Sequence, residues 1–108
     1  MINMVRLCDM FGDDKTFQRE MLALFISTTR PMLDQFGPAI AHRNFVQIEA
    51  FAHRLEGSCA NLGIDELARA VDCANRAKDL TRLHQLHNVM LAACARLSDF
   101  VDRMEKTL

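Results

Sequence analysis

Tryptophan and tyrosine are absent from the 108 residues, proline occurs twice, and glycine four times. Thirteen Lys and Arg against fourteen Asp and Glu leave a formal net charge of −1. With no Trp or Tyr to stack on bases and no basic excess to track phosphates, nucleic acid is not an expected partner. The apolar runs are short, residues 21–26 and 89–95 being the longest, and fall far below the roughly 20 residues that cross a bilayer. The opening stretch MINMVRLCDM lacks the basic segment, apolar core and small-residue cleavage site of a secretory signal, so the expected compartment is the cytoplasm. The four cysteines, Cys8, Cys59, Cys73 and Cys94, form no C-x-x-C pair and no regular spacing, which argues for reduced thiols over a disulfide framework or zinc site. There is no Glu-x-x-His tetrapeptide, as a di-iron bundle would need. His84 and His87 lie three apart with no carboxylate or cysteine at a matching spacing, so no metal site is expected.

What remains is a chain that is half apolar and a quarter charged, the balance and length of a single globular domain over residues 1–108. Leu, Ala, Met, Arg, Gln and Glu dominate, which is helix-forming chemistry. After Gly12, Asp13 and Asp14 are available as caps, and Phe17, Met21, Leu24, Phe25 and Thr28 recur as one helical face. Pro31 is expected to kink or restart that helix, and Gly37-Pro38 to leave an irregularity between residues 30 and 43, although Met32, Phe36 and Ile40 continue the stripe. Asn44 with Gln47 reads as a capping box for a helix with Phe45, Ile48, Ala52, Leu55, Cys59 and Leu62 apolar, and Gly63 as its stop. Asp65 opens the next segment, with Leu67, Ala70, Val71, Ala74 and Ala77 apolar, and Asp79 caps the last. There Leu83, Leu86, Met90, Cys94, Leu97, Val101, Met104 and Leu108 step by three or four throughout.

One-faced helices joined by short turns can bury their stripes only against each other. The expected fold is all-α, an antiparallel up-down-up-down four-helix bundle with a short N-terminal helix around residues 3–10.

On the helix over residues 45–62, steps of about 100° per residue put His53 well off the apolar stripe and into solvent. Glu49 lies one turn before it, and Glu56, Gly57 and Ala60 follow on the same flank. A mid-helix glycine costs about 1 kcal/mol relative to alanine, so Gly57 one turn from an exposed histidine suggests that access to the ring matters.

The stretch His53-Arg54-Leu55-Glu56-Gly57-Ser58-Cys59-Ala60-Asn61-Leu62-Gly63 resembles the signature of histidine-containing phosphotransfer (HPt) domains, H-x-L-K-G-S-x-A-x-x-G. The layout around it, from the Gly12-Asp13-Asp14 start to the Asp79-capped last helix, extends the resemblance over nearly the whole chain. The resemblance implies a phosphorelay carrier, not an enzyme. His53 would take a phosphoryl group from the aspartate of one receiver domain and pass it to another, the receiver belonging to a response regulator or hybrid histidine kinase. Mg²⁺ and the stabilising lysine would sit on the receiver, so the chain itself needs no cofactor, and it would act as a monomer. The docking surface implied lies beside the histidine, with apolar residues near the N-terminus such as Met1, Ile2, Met4 and Leu7 contributing. A hairpin about Gly63 and Ile64 would bring Asn75 level with His53, where the family often has Gln or Glu close to the ring.

One position departs from the family. Where a basic residue usually follows the histidine by three, this chain has Glu56, and with Glu49 a turn away two carboxylates flank His53 and disfavour a phosphoryl anion. Exposed charges are screened, which favours a tuned carrier over an inactive one. Arg76 and Lys78 are candidates for the missing cation and equally ordinary solvated residues. Glu56 is the main support for the alternative reading, an adaptor that binds a receiver or kinase without being efficiently phosphorylated. A purely structural or dimerising bundle would need an exposed apolar stripe, and the sequence shows none.

Overall fold

The computed structural model describes residues 8, 9, 11–58 and 64–107, and of Ser58 and residues 105–107 it describes the backbone alone. Four helices account for most of it: α1 (Lys15–Ala41), α2 (Phe45–Ser58), α3 (Ile64–Arg76) and α4 (Leu80–Thr107). Ahead of them Cys8, Asp9 and Phe11 are helical; of the segment 3–10 expected as an N-terminal helix, the other residues lie outside the described ones.

Helix starts follow the capping chemistry. The Phe17 amide donates to Asp14 Oδ1 at 3.1 Å, the Gln47 amide to Asn44 Oδ1 at 3.1 Å, and the Arg82 amide to Asp79 Oδ1 at 3.0 Å. Asn44 Nδ2 also donates to Gln47 Oε1 at 3.2 Å, which completes the polar pairing at the start of α2.

Two helix ends share one construction. At the end of α1 the Arg43 amide donates to the Ile40 carbonyl and the Asn44 amide to the Ala39 carbonyl. At the end of α3 the Lys78 amide donates to Asn75 and the Asp79 amide to Ala74 in the same pattern. This is the Schellman arrangement, with Arg43 (φ 55°) and Lys78 (φ 54°) in the left-handed position that glycine usually fills. In both turns the residue that closes one helix, Asn44 or Asp79, caps the next.

α1 runs unbroken through Pro31 and Pro38, contrary to the expected restart. Both prolines are exposed, and the carbonyls that lose an amide partner, on Ser27 and Asp34, belong to exposed residues where water can serve. Packing on the opposite face supplies the stability that each proline removes. Leu33, Phe36, Ala39 and Ile40 are all buried there.

The helices form a ring in which α1 packs on α2 and α4, and α3 on α2 and α4. The antiparallel bundle is therefore present. Its main core joins Leu33, Phe36, Ile40, Ile48, Phe51, Leu55, Val71, Leu83, Leu86 and Met90, with a smaller cluster of Leu22, Leu97 and Val101 where α1 and α4 outrun the shorter pair. Each such side chain contributes about 1.5–3 kcal/mol on full burial. Burial also pushes the Cys94 thiol up, against a smaller opposing effect of Arg30, so this cysteine serves as a protonated core residue. Cys8, Cys73 and Cys94 are all free thiols.

The first half of α1 faces differently from its apolar reading. Phe17 and Leu24 are exposed, whereas Gln18 and Thr29 are buried beside Leu22. Gln18 is tolerated inside because Nε2 donates to the Gly12 carbonyl, holding the chain that enters the helix. His87 is likewise structural. Its Nε2 lies 2.9 Å from the Leu33 carbonyl and its ring packs on Phe36 at 5.2 Å between centroids. A Cβ at Gly37 would meet His87 Cε1 at 3.3 Å, so the glycine inside α1 makes room for that ring.

Candidate functional site

α2 buries Ile48, Phe51, Ala52 and Leu55 and thereby turns its opposite face outward. His53 stands exposed on that face, near the middle of the helix, where backbone hydrogen bonds on both sides fix its position. Residues spaced three and four from it share the stripe. Val46, Glu49, Ala50, His53 and Glu56 line one wall of an open groove of about 430 Å³, and Asp72 and Arg76 of α3 line the other. Val46 is 79 % exposed, so the stripe carries an apolar shoulder as well as charge.

Of the residues expected near His53, Glu49 and Glu56 are in place. Gly57 is exposed, and a Cβ at that position would meet nothing within 4 Å among the described residues, so none of them requires a glycine there. Ala60 lies outside the described residues, as do Met1, Ile2, Met4 and Leu7. Asn75 is a correction. It is buried, and its Nδ2 donates to the Phe45 carbonyl at 3.1 Å, two turns from His53. Counting residues equally from the turn misplaces it: across the hairpin Arg69 meets Glu56, and Asn75 meets Phe45 at the far end of α2. Asn75 thus ties the start of α2 to the end of α3, where the Lys78 ammonium also lies 5.6 Å from the Phe45 ring centre.

Two cations of α3 meet the acidic flank. Arg69 Nε lies 3.5 Å from Glu56 Oε1, and Arg69 Nη2 lies 3.4 Å from Asp65 Oδ2. Arg76 Nη2 lies 2.6 Å from Asp72 Oδ2 in the groove wall. Sequence reasoning passed over Arg69, Asp72, Val46 and Ala50. The last two follow from the same three- and four-residue spacing that finds Glu49, whereas the first two need the hairpin register. Among the described residues no three His, Cys, Asp or Glu side chains converge as a metal site, and no helix is long and apolar enough to cross a membrane.

An exposed, uncrowded imidazole on a rigid helix can act as a nucleophile toward a group presented by a partner. Residues 20–107 match the family model described as Hpt domain. No curated protein and no solved structure matches the chain.

Proposed function

We propose that this chain, which belongs to the Hpt domain family, carries a phosphoryl group on His53 between the aspartates of receiver domains in a two-component phosphorelay. The observation that supports this most is the placement of His53: the one imidazole in the groove, exposed at mid-helix, with the open Gly57 one turn on. The lone pair of a ring nitrogen forms the P–N bond as the P–O bond to the receiver aspartate breaks. The carboxylate leaves with its electron pair, and the ring keeps its remaining proton. Such transfer passes through a loose transition state that asks for alignment and charge stabilisation more than for covalent help. The rigid helix gives alignment. Mg²⁺ and a lysine on the receiver give the charge, so the chain is a carrier with no cofactor of its own. Its partner is the receiver of a response regulator or hybrid histidine kinase, met by residues 1–108 as one monomeric domain in the cytoplasm.

The adaptor alternative rests on Glu56, and its pairing with Arg69 weakens that support. Incubation with a phosphorylated receiver and Mg²⁺ separates the two. Acid-labile, alkali-stable label on the wild type and none on His53→Gln is the expected outcome. Binding of the receiver without label on the wild type would establish the adaptor, and label on His53→Gln would remove His53 as acceptor.

A further inference from the structure

The groove around His53 is lined by three carboxylates, Glu49, Glu56 and Asp72, and by one guanidinium, that of Arg76. A phosphoryl group placed there brings further negative charge, and the position on α2 that a cation would occupy holds Glu56. The other candidates are committed elsewhere. Lys78 lies against Phe45, Arg54 lines the cleft between α1 and α2, and Arg69 is shared between Glu56 and Asp65. Arg76 differs from these: its side chain is 77 % exposed, it lines the groove with His53, and its only ion pair among the described residues is with Asp72 in the same wall.

We infer that Arg76 is the phosphoryl-binding cation of this domain, held on Asp72 while His53 is free and moved to the phosphoryl oxygens once His53 is phosphorylated. This rests on His53 as the phosphorylation site. A long, exposed side chain pivots without disturbing the helix, and the planar guanidinium matches two phosphoryl oxygens in a bidentate contact. Asp72 then serves as a keeper. It holds Arg76 over the groove and keeps the guanidinium neutralised against Glu49 and Glu56 until a stronger anion arrives. The positive charge that the motif lacks on α2 is thus supplied from α3.

The test uses the whole chain, phosphorylated in two ways: by a phosphorylated receiver with Mg²⁺, and by potassium phosphoramidate, which needs no partner. The second route also labels the exposed His42 and His84, which act as references within the same molecule. A cation in contact with the phosphoryl group lowers the midpoint of its ³¹P titration, while the facing Glu49, Glu56 and Asp72 raise it. Arg76→Ala is expected to raise the midpoint on His53 by the equivalent of about a two- to fivefold gain in proton affinity, the range of an exposed ion pair. The midpoints on His42 and His84 stay fixed, and Arg76→Lys restores most of the shift. Asp72→Asn, which frees Arg76, moves the midpoint down. An unchanged midpoint in Arg76→Ala overturns the proposal whatever the receiver does. A shifted midpoint with no transfer from any receiver to the wild type removes the carrier reading and leaves the Arg76 contact standing.

Discussion

Arg69 reaches across from α3 to Glu56, 3.5 Å between Nε and Oε1, so the carboxylate that stands in the usual place of a cation already has a counter-charge. Both side chains are about half exposed or more, and the pair is accordingly weak. Arg69→Ala is expected to unmask Glu56 and slow phosphoryl uptake from a receiver by roughly two- to fivefold, the scale of an exposed ion pair. In a Glu56→Gln background the same substitution has no charge left to unmask, and its effect falls away. Initial rates for the four proteins of this cycle check it, and equal effects in both backgrounds would mean that Arg69 acts by another route.

Asn75 ties the two ends of the α2–α3 hairpin together. Asn75→Ala removes a buried bond to the Phe45 carbonyl and is expected to cost about 1 kcal/mol. Chemical denaturation reads the loss, while the rate of transfer per folded molecule stays at the wild-type value. A drop in transfer without a drop in stability would return Asn75 to the site.

Gly57 has open space where a Cβ would stand. Gly57→Ala therefore gains helix propensity and is expected to stabilise the domain by about 1 kcal/mol. If the bare backbone serves a docking partner, receiver-dependent transfer falls in the same variant while phosphoramidate still labels His53 at its original rate. Unimpaired transfer would remove any role for Gly57 in access.

Gly37 presents the opposite case. Its missing Cβ accommodates the His87 ring, which the Leu33 carbonyl holds at 2.9 Å. Gly37→Ala alone is expected to yield little of the usual helix gain, whereas the same change in His87→Ala recovers it, a coupling of about 0.5 kcal/mol or more. Additive stabilities across the four proteins would show that the ring yields freely.

The fold was legible wherever local chemistry decides it. Asp14, Asn44 and Asp79 cap helices because a short polar side chain reaches the amide three residues on, and that is a property of the local chain. The stripe of α4 was legible because its apolar residues are regular, and Leu83, Leu86, Met90, Cys94, Leu97 and Val101 are all buried. The stripe of α1 was not, since Phe17 and Leu24 are as apolar as Leu22 and only tertiary neighbours decide which is covered. The prolines misled for a related reason: a cost of about 3 kcal/mol per interior proline ends an isolated helix but not one packed along its length. At the site, His53, Glu49, Glu56 and Gly57 lie on one helix and follow from its periodicity. Arg69, Asp72 and Arg76 share one face of the neighbouring helix, and only the packing of α3 on α2 decides that this face meets the groove side of α2.

The double duty of Asn44 has a consequence for chain length. α2 begins at once after a residue that also closes α1, so the turn contains no slack segment to absorb an extra residue. One insertion there would rotate all of α2 by about 100° relative to its cap. The helix would then either keep the cap and swing the imidazole of His53 toward α1 or α3, or keep its buried face and abandon the cap. The direction in which the domain presents its histidine is thus set by the number of residues in a turn that ends nine positions before it.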